Sequence, residues 1–296
     1  MIHYTQCPFC GSTIISKKFS VKDYTVSQKK FEVWECNNCT GGFTQDIPPQ
    51  NEIGAFYQSE NYISHSDTKQ GIINRLYHIV RSRTLRSKRK LITKFTGKTT
   101  GNILDIGCGT GAFLHTMQQA NWQITGLEPD STAREKAKEL YVLTPQSPEK
   151  LFELAANTYD AVTMWHVLEH VHELAAYLQQ IASLLKADGK LFIAVPNYTS
   201  ADAVHYKEQW AAWDVPRHLY HFSPQSMELL LAKFNMAVET VKPMWYDSFY
   251  VSMLSEKYKN GKPNLVKAVW NGFISNLKAL RNVKRCSSVI YIVKKK

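Results

Sequence analysis

The chain has 296 residues, 44% of them hydrophobic and 21% charged, which is enough for one sizeable α/β domain and a smaller module. No apolar run approaches the roughly 20 residues that cross a bilayer, and the N-terminus lacks a basic n-region and an apolar h-region, so a reducing cytoplasm is expected and disulfides are not the first reading of the six cysteines. A net charge of +11 calls for an anionic partner without naming it, whether a phosphorylated small molecule, a nucleic acid or a lipid surface met peripherally.

Cys7-x-x-Cys10 and Cys36-x-x-Cys39, 25 residues apart, place four thiolates in two knuckles, the donor set of a tetrahedral structural zinc. Residues 1–48 are therefore expected as a zinc-ribbon module that ends at Pro48-Pro49. Four sulfurs leave no open coordination position, so such a metal would be structural. Residues 49–100 read as a helical linker or lid, with nine Lys or Arg between Arg75 and Lys98. Tyr62 in this stretch is a candidate lid residue over the active site.

From residue 101 to 296 the pattern alternates between strand and helix. Strands are expected at 102–106, 123–128, 141–144, 159–165, 190–195, 237–241 and 287–293, with helices at 111–120, 131–139, 148–155, 171–186 and 224–234, the last capped by Ser223. Alternation of this kind implies a Rossmann-like, mostly parallel sheet with helices on both faces. Insertions at 197–222 and 244–285 interrupt it and are candidate substrate caps. In the second, Val266, Val269, Trp270, Phe273, Leu277 and Leu280 recur at helical spacing beside Lys267, Lys278 and Arg281. The spacing predicts a helix packed on the core, with an interfacial helix as the alternative.

The strand at 102–106 runs directly into Gly107-Cys108-Gly109-Thr110-Gly111 and a helix, a backbone turn that welcomes polar ligand groups. The glycines alone also satisfy the relaxed dinucleotide form G-x-G-x-x-A. Asp105 separates the two readings, because an acid there crowds a pyrophosphate but suits a ligand carrying an ammonium and a sulfonium. Glu128, after the second strand, can accept from both ribose hydroxyls.

With these residues in view, LDIGCGTG, GLEPD, YDAVTMWHVLEHV and LKADGKLFIAVPN, spread over roughly residues 100–200, resemble the class I S-adenosylmethionine-dependent methyltransferases. The resemblance implies a seven-stranded sheet and S-adenosylmethionine as cofactor. It would set Asp105, Gly107 and Gly109 against the methionine moiety, with Cys108 and Gly111 completing the loop, Glu128 at the ribose, Pro129 at the adenine, and Trp165 and His166 beside the methyl group.

Two histidine groups are candidates on the acceptor side: His166, His170 and His172, and His218 with His221. Sugar C-methyltransferases resemble the chain at both places, and His170 and His218 match their histidines. Val215 and Arg217 stand where that family has tyrosine and glutamate, so the carboxylate for deprotonating a ketosugar is missing and O-methyl transfer is favoured. His218 and His170 are thus the candidate bases. Arg217 would bind a substrate anion, and His221 and Trp213 would line the acceptor. The expected function is methyl transfer to a small anionic acceptor, a nucleotide- or lipid-linked sugar or related metabolite. Methylation of an RNA base, with the zinc ribbon and basic face on the RNA, is the alternative.

Overall fold

The computed structural model describes residues 1–58 and 72–296. Three strands open the chain, β1 (Ile15–Lys22), β2 (Lys30–Cys36) and β3 (Gly42–Thr44), followed by the long helix α1 (Ile72–Thr96). Next come β4 (Asn102–Ile106), α2 (Ala112–Gln118), β5 (Gln123–Leu127), α3 (Ser131–Tyr141), β6 (Tyr159–Trp165), α4 (Leu174–Leu184) and β7 (Leu185–Pro196). The rest comprises α5 (Ala201–Tyr206), β8 (Tyr220–His221), α6 (Pro224–Ala232), β9 (Met236–Pro243), α7 (Asp247–Asn260), α8 (Leu265–Arg281) and β10 (Ser288–Lys295).

The principal sheet has the order β5-β4-β6-β7-β10-β9 and is mostly parallel. β4 pairs in parallel with β5 on one side and β6 on the other. All but the first residue of β4 are buried, as a strand covered on both faces requires. Among the described residues this sheet has six strands, not seven. The strand expected at 141–144 is lost because α3 continues through Tyr141 and stops on a left-handed Val142 (φ 58°). Only Gln146 then reaches the sheet, through a single parallel bridge to Leu127.

Two compact units make up the chain, and they cut across the sequential division expected above. One holds the described residues of Met1–Ser64 together with His166–Leu174 and Ala194–Tyr291. The other holds the described residues of His65–Trp165 with Ala175–Ile193 and Ile292–Lys296. In the latter the packing is that of a βα repeat. Leu114 of α2 and Ala137 of α3 close over Cys108 and Leu143, and a Cβ on Gly126 would come within 2.5 Å of Leu114, so only glycine fits there.

In the former unit the cysteine module is not free-standing. Its sheet has the order β1-β2-β3-β8, and β8 comes from the insertion at 197–222. Val21, Phe31 and Val33 of the module share one core with Tyr198, Tyr206, Trp210, Trp213 and Val215 of that insertion. Trp213 is 2% exposed, and its indole N–H donates to the Lys207 carbonyl. It is a core residue, and its expected place in an acceptor wall is corrected accordingly. α8 also departs from expectation. It packs through Ala268, Gly272, Ser275 and Ala279, and the large apolar residues expected in the core are exposed.

Arg217 holds this unit together. Its guanidinium is 1% exposed and donates to both oxygens of Asp214 (2.6 and 3.0 Å), to Asp23 Oδ1 (3.0 Å) and to the Phe56 carbonyl (2.9 Å). Asp23 in turn accepts from the Thr25, Val26 and Ser27 N–H groups and so shapes the β1–β2 turn. Arg217 is a clamp between turn and insertion, and its donors are engaged there and not offered to a substrate anion. Removing the cation would leave the buried Asp23 and the partly exposed Asp214 side by side without their counter-charge. We expect Arg217→Met to lower unfolding stability by about 3–5 kcal/mol, with partial recovery on adding Asp23→Asn and Asp214→Asn; denaturant titration measures both, and a loss within ~0.5 kcal/mol would refute the clamp.

Candidate active site

The cofactor loop is built where β4 ends. Gly107, Gly109 and Gly111 have φ of +72°, +55° and +79°, the left-handed region that disfavours a side chain. The N–H groups of Gly107 and Cys108 both donate to the Leu127 carbonyl (2.7 and 3.0 Å), tying the turn to β5. A Cβ on Gly109 would meet nothing within 4 Å, so space lies open above the turn. Cys108 turns its side chain into the core, and burial pushes its thiol far up, so only its backbone is available to a ligand.

Two acids flank this loop. Asp105 is 2% exposed and accepts from the Thr163 hydroxyl (2.5 Å), its register partner on β6. Burial pushes its carboxyl up to about 7, against the pull of the Thr163 hydrogen bond and the Lys88 charge. Glu128 spans the turn, accepting from Gly109 N–H (2.7 Å) through one oxygen and Asp130 N–H (3.0 Å) through the other. Burial raises its carboxyl as well. Pro129 beside it is exposed, and Arg134 fixes the segment by donating to the Glu128 and Pro129 carbonyls. Trp165, at the end of β6, meets the Phe113 ring edge-on, and the Lys88 ammonium lies 4.2 Å from its ring centre. Lys88 was read only as part of a basic run, and the sequence held no signal that it reaches Trp165.

The histidines expected on the acceptor side lie in the other unit, and His166 and His170 are shifted in opposite directions. His166 (φ +59°) sets Nε2 at 3.0 Å from Asp247 and Nδ1 at 3.4 Å from Glu169. Burial opposes its charge, but the two carboxylates outweigh it and raise the ring to about 10, so His166 is a cation at neutral pH. Asp247 is 81 positions away in sequence, which is why the pairing could not be read there. Glu169 is fully buried, and apart from this ion pair its oxygens have no hydrogen-bond partner among the described residues.

His170 and His218 meet edge to face, with ring centres 4.7 Å apart. His170 Nδ1 lies 3.0 Å from the Arg217 carbonyl and 3.0 Å from the Tyr57 hydroxyl, and burial, followed by His218, lowers it to about 4. His218 Nδ1 lies 2.9 Å from the Ala212 carbonyl, which can only accept, so Nδ1 carries a proton, and Nε2 lies 4.0 Å from Asp214 Oδ2. Glu169, His170 and His218 each bring a ligand atom within 4.8 Å of the others. His221 is buried 3.1 Å from the Thr44 hydroxyl, with its ring lowered well below the ordinary range. It pins β3 to the insertion and is not available for the expected contact with the acceptor. His172 likewise lies 3.0 Å from the Pro48 carbonyl. Tyr62 lies outside the described residues.

The four cysteines converge as the spacing predicts. Cys7 and Cys39 Sγ are 3.5 Å apart, and Cys10 and Cys36 Sγ 3.6 Å, while all four lie within 4.8 Å of one another. A tetrahedral ion with sulfur at about 2.3 Å requires sulfurs about 3.8 Å apart, so the group fits. Each knuckle closes with a backbone bond, Gly11 N–H to Cys7 carbonyl and Thr40 N–H to Cys36 carbonyl.

Comparison with known proteins agrees with this architecture. Residues 77–241 match the family model described as a methyltransferase domain. The chain is 30% identical over 164 residues to the mitochondrial ubiquinone biosynthesis O-methyltransferase of Homo sapiens, covering 50% of this chain and 44% of that one. It is 31% identical over 158 residues to the ubiquinone biosynthesis O-methyltransferase of Xanthomonas axonopodis pv. citri (strain 306), covering 49% and 66%. Each match thus takes in less than two thirds of the relative. Among solved structures, a SAM dependent methyltransferase from Archaeoglobus fulgidus superposes with a TM-score of 0.50 at 22% identity, covering 73% of this chain and 94% of that one. A putative sarcosine dimethylglycine methyltransferase from Galdieria sulphuraria gives 0.52 at 14% identity, covering 75% and 88%. The chain belongs to the methyltransferase-domain family, and its class is that of the S-adenosylmethionine-dependent methyltransferases.

Asp105 makes this class testable through pH. Its folded pKa lies above the ordinary carboxylate value, so the ligand-free protein loses stability as pH rises through about 7, when a charge must be held in the buried site. A ligand ammonium placed beside Asp105 would compensate that charge. Affinity for S-adenosylmethionine is therefore expected to fall by about tenfold per pH unit below 7, and Asp105→Asn should be weaker and pH-independent. Calorimetry between pH 5.5 and 7.5 checks this, and a wild-type affinity flat across that range would remove Asp105 from ammonium binding.

Proposed function

We propose that the protein transfers a methyl group from S-adenosylmethionine to a hydroxyl oxygen of a small acceptor, a nucleotide- or lipid-linked sugar or related metabolite, in the cytoplasm. Asp105 and the Gly107–Gly111 turn would hold the methionine moiety, Glu128 the ribose and Pro129 the adenine, with Trp165 and His166 bordering the methyl group. When bound, the cofactor supplies an electrophilic methyl on a sulfonium.

The observation that carries the acceptor side is the state of His218. Its Nδ1–H is committed to the Ala212 carbonyl, which leaves Nε2 as a lone-pair acceptor. As the acceptor oxygen attacks, its proton passes to Nε2, and the Ala212 carbonyl steadies the resulting imidazolium. His166 cannot take this role near neutral pH because Asp247 and Glu169 keep it protonated. His170 is a weak base and serves to position the His218 ring. Oxygen as the accepting atom is supported by the O-methyltransferase names of both relatives.

The commitment of Arg217 to its clamp withdraws the specific argument for an anionic acceptor. A small acceptor is favoured over RNA because the cysteine module gives its β3 edge to β8 of the insertion that carries His218. The module thus supports the acceptor side. Zinc on Cys7, Cys10, Cys36 and Cys39 would brace it, with no part in the chemistry.

His218→Asn is expected to lower turnover about 10²–10³-fold while S-adenosylmethionine affinity stays within about twofold. Turnover and calorimetry on the same preparation decide this, and undiminished turnover would eliminate the base. Zinc removal by a chelator should release one equivalent of metal and expose the amides of β1–β3 and β8 to exchange, while cofactor affinity persists. Retained amide protection after complete metal removal would sink the zinc assignment.

A further inference from the structure

α8 turns its large side chains the wrong way for a helix in a folded interior. Ala268, Gly272, Ser275 and Ala279 form its buried stripe, and a Cβ on Gly272 would come within 2.7 Å of the Phe249 ring of α7. These small residues let the two helices pack closely, and Ser275 adds a hydrogen bond to Asp202 (2.7 Å). The opposite side carries Val266 (82% exposed), Val269 (58%), Trp270 (62%), Phe273 (47%), Leu277 (42%) and Leu280 (69%). At 100° per residue these six fall within an arc of about 100°.

Arg281, Lys267 and Lys278 lie on one flank of the arc, about 20°, 60° and 80° beyond its edge, and all three are exposed. α8 contains no Asp or Glu, and Lys262 and Lys284 lie just beyond its ends. A monomer in water gains nothing from holding such a ridge outward. Two copies meeting antiparallel through it would set their basic flanks against each other. A surface that is apolar within and anionic at its border matches both features, and that describes an anionic bilayer.

We propose that α8 docks the protein on the surface of an anionic lipid bilayer. It lies in the interface plane, with Trp270 and Phe273 at the acyl boundary and Lys267, Lys278 and Arg281 among the headgroup phosphates. At 17 residues it is about 26 Å long, and among the described residues no helix is long and apolar enough to cross a membrane. The inference does not depend on the identity of the methyl acceptor.

The test is co-sedimentation of the full chain with vesicles of phosphatidylcholine, with and without about 30% phosphatidylglycerol. Binding is expected to the anionic vesicles and to fall about tenfold or more in Trp270→Ser/Phe273→Ser and, separately, in Lys267→Glu/Lys278→Glu/Arg281→Glu. All five positions are exposed, and far-ultraviolet circular dichroism with S-adenosylmethionine calorimetry confirms that each variant is folded. Three results would overturn the proposal: no binding to anionic vesicles, equal binding to neutral ones, or binding indifferent to Trp270→Ser/Phe273→Ser. Light scattering that shows a dimer dispersed by the same pair, without vesicle binding, would assign the ridge to a second copy instead.

Discussion

A guanidinium buried to 1% exposure between two carboxylates is the constraint on which the acceptor-side unit depends. Such a group gains little net stability over a well-packed apolar substitute, because desolvating three charges offsets most of their attraction. What it supplies is a tie between segments: Asp23 of the β1–β2 turn, Asp214 of the insertion and the Phe56 carbonyl all converge on one side chain. The next residue is His218, and the Arg217 carbonyl accepts from His170, so the clamp also sets the backbone from which both rings are held.

From that frame the histidines acquire different charges without differing in chemistry. Burial alone disfavours the imidazolium of His166, His170 and His221. His166 escapes because Asp247 and Glu169 both face it. His170 and His221 have no opposite charge close enough to outweigh their burial, and both are driven toward the neutral form. A cation that cannot leave and neutral rings that resist protonation can stand close together without one proton moving among them. His218 differs from them again, its Nδ1 held by one carbonyl, that of Ala212.

The turn between the first two strands of the principal sheet was legible because its determinants are local. Gly107 to Gly111, Asp105 and Glu128 lie within 24 consecutive residues, and their positions follow from a strand, a turn and the next strand. The four cysteines were equally readable, since metal-ligand spacing is itself a local geometry. Arg217 was misread for the converse reason. Its partner Asp23 is 194 positions away, and nothing in a sequence distinguishes an arginine offered to a ligand from one already engaged. Trp213 and His221 failed likewise, because β8 joins the cysteine module's sheet only in three dimensions. The lost strand at 141–144 is a smaller matter: α3 ran two residues beyond its expected end at 139 and consumed it.

Helical periodicity shows that one side of α8 is apolar, but not that this side is buried. The packing side is chosen by what can approach a neighbour, and here the competing stripe of Ala268, Gly272, Ser275 and Ala279 allows the close approach to Phe249 that bulky residues would prevent. Apolar area on the ridge would reward burial, yet turning it inward would bring Arg281 toward the core and give up the Ser275–Asp202 hydrogen bond. The sequence of α8 therefore satisfies two environments at once: a protein contact made by its small residues, and an apolar surface bordered by anions facing its large ones.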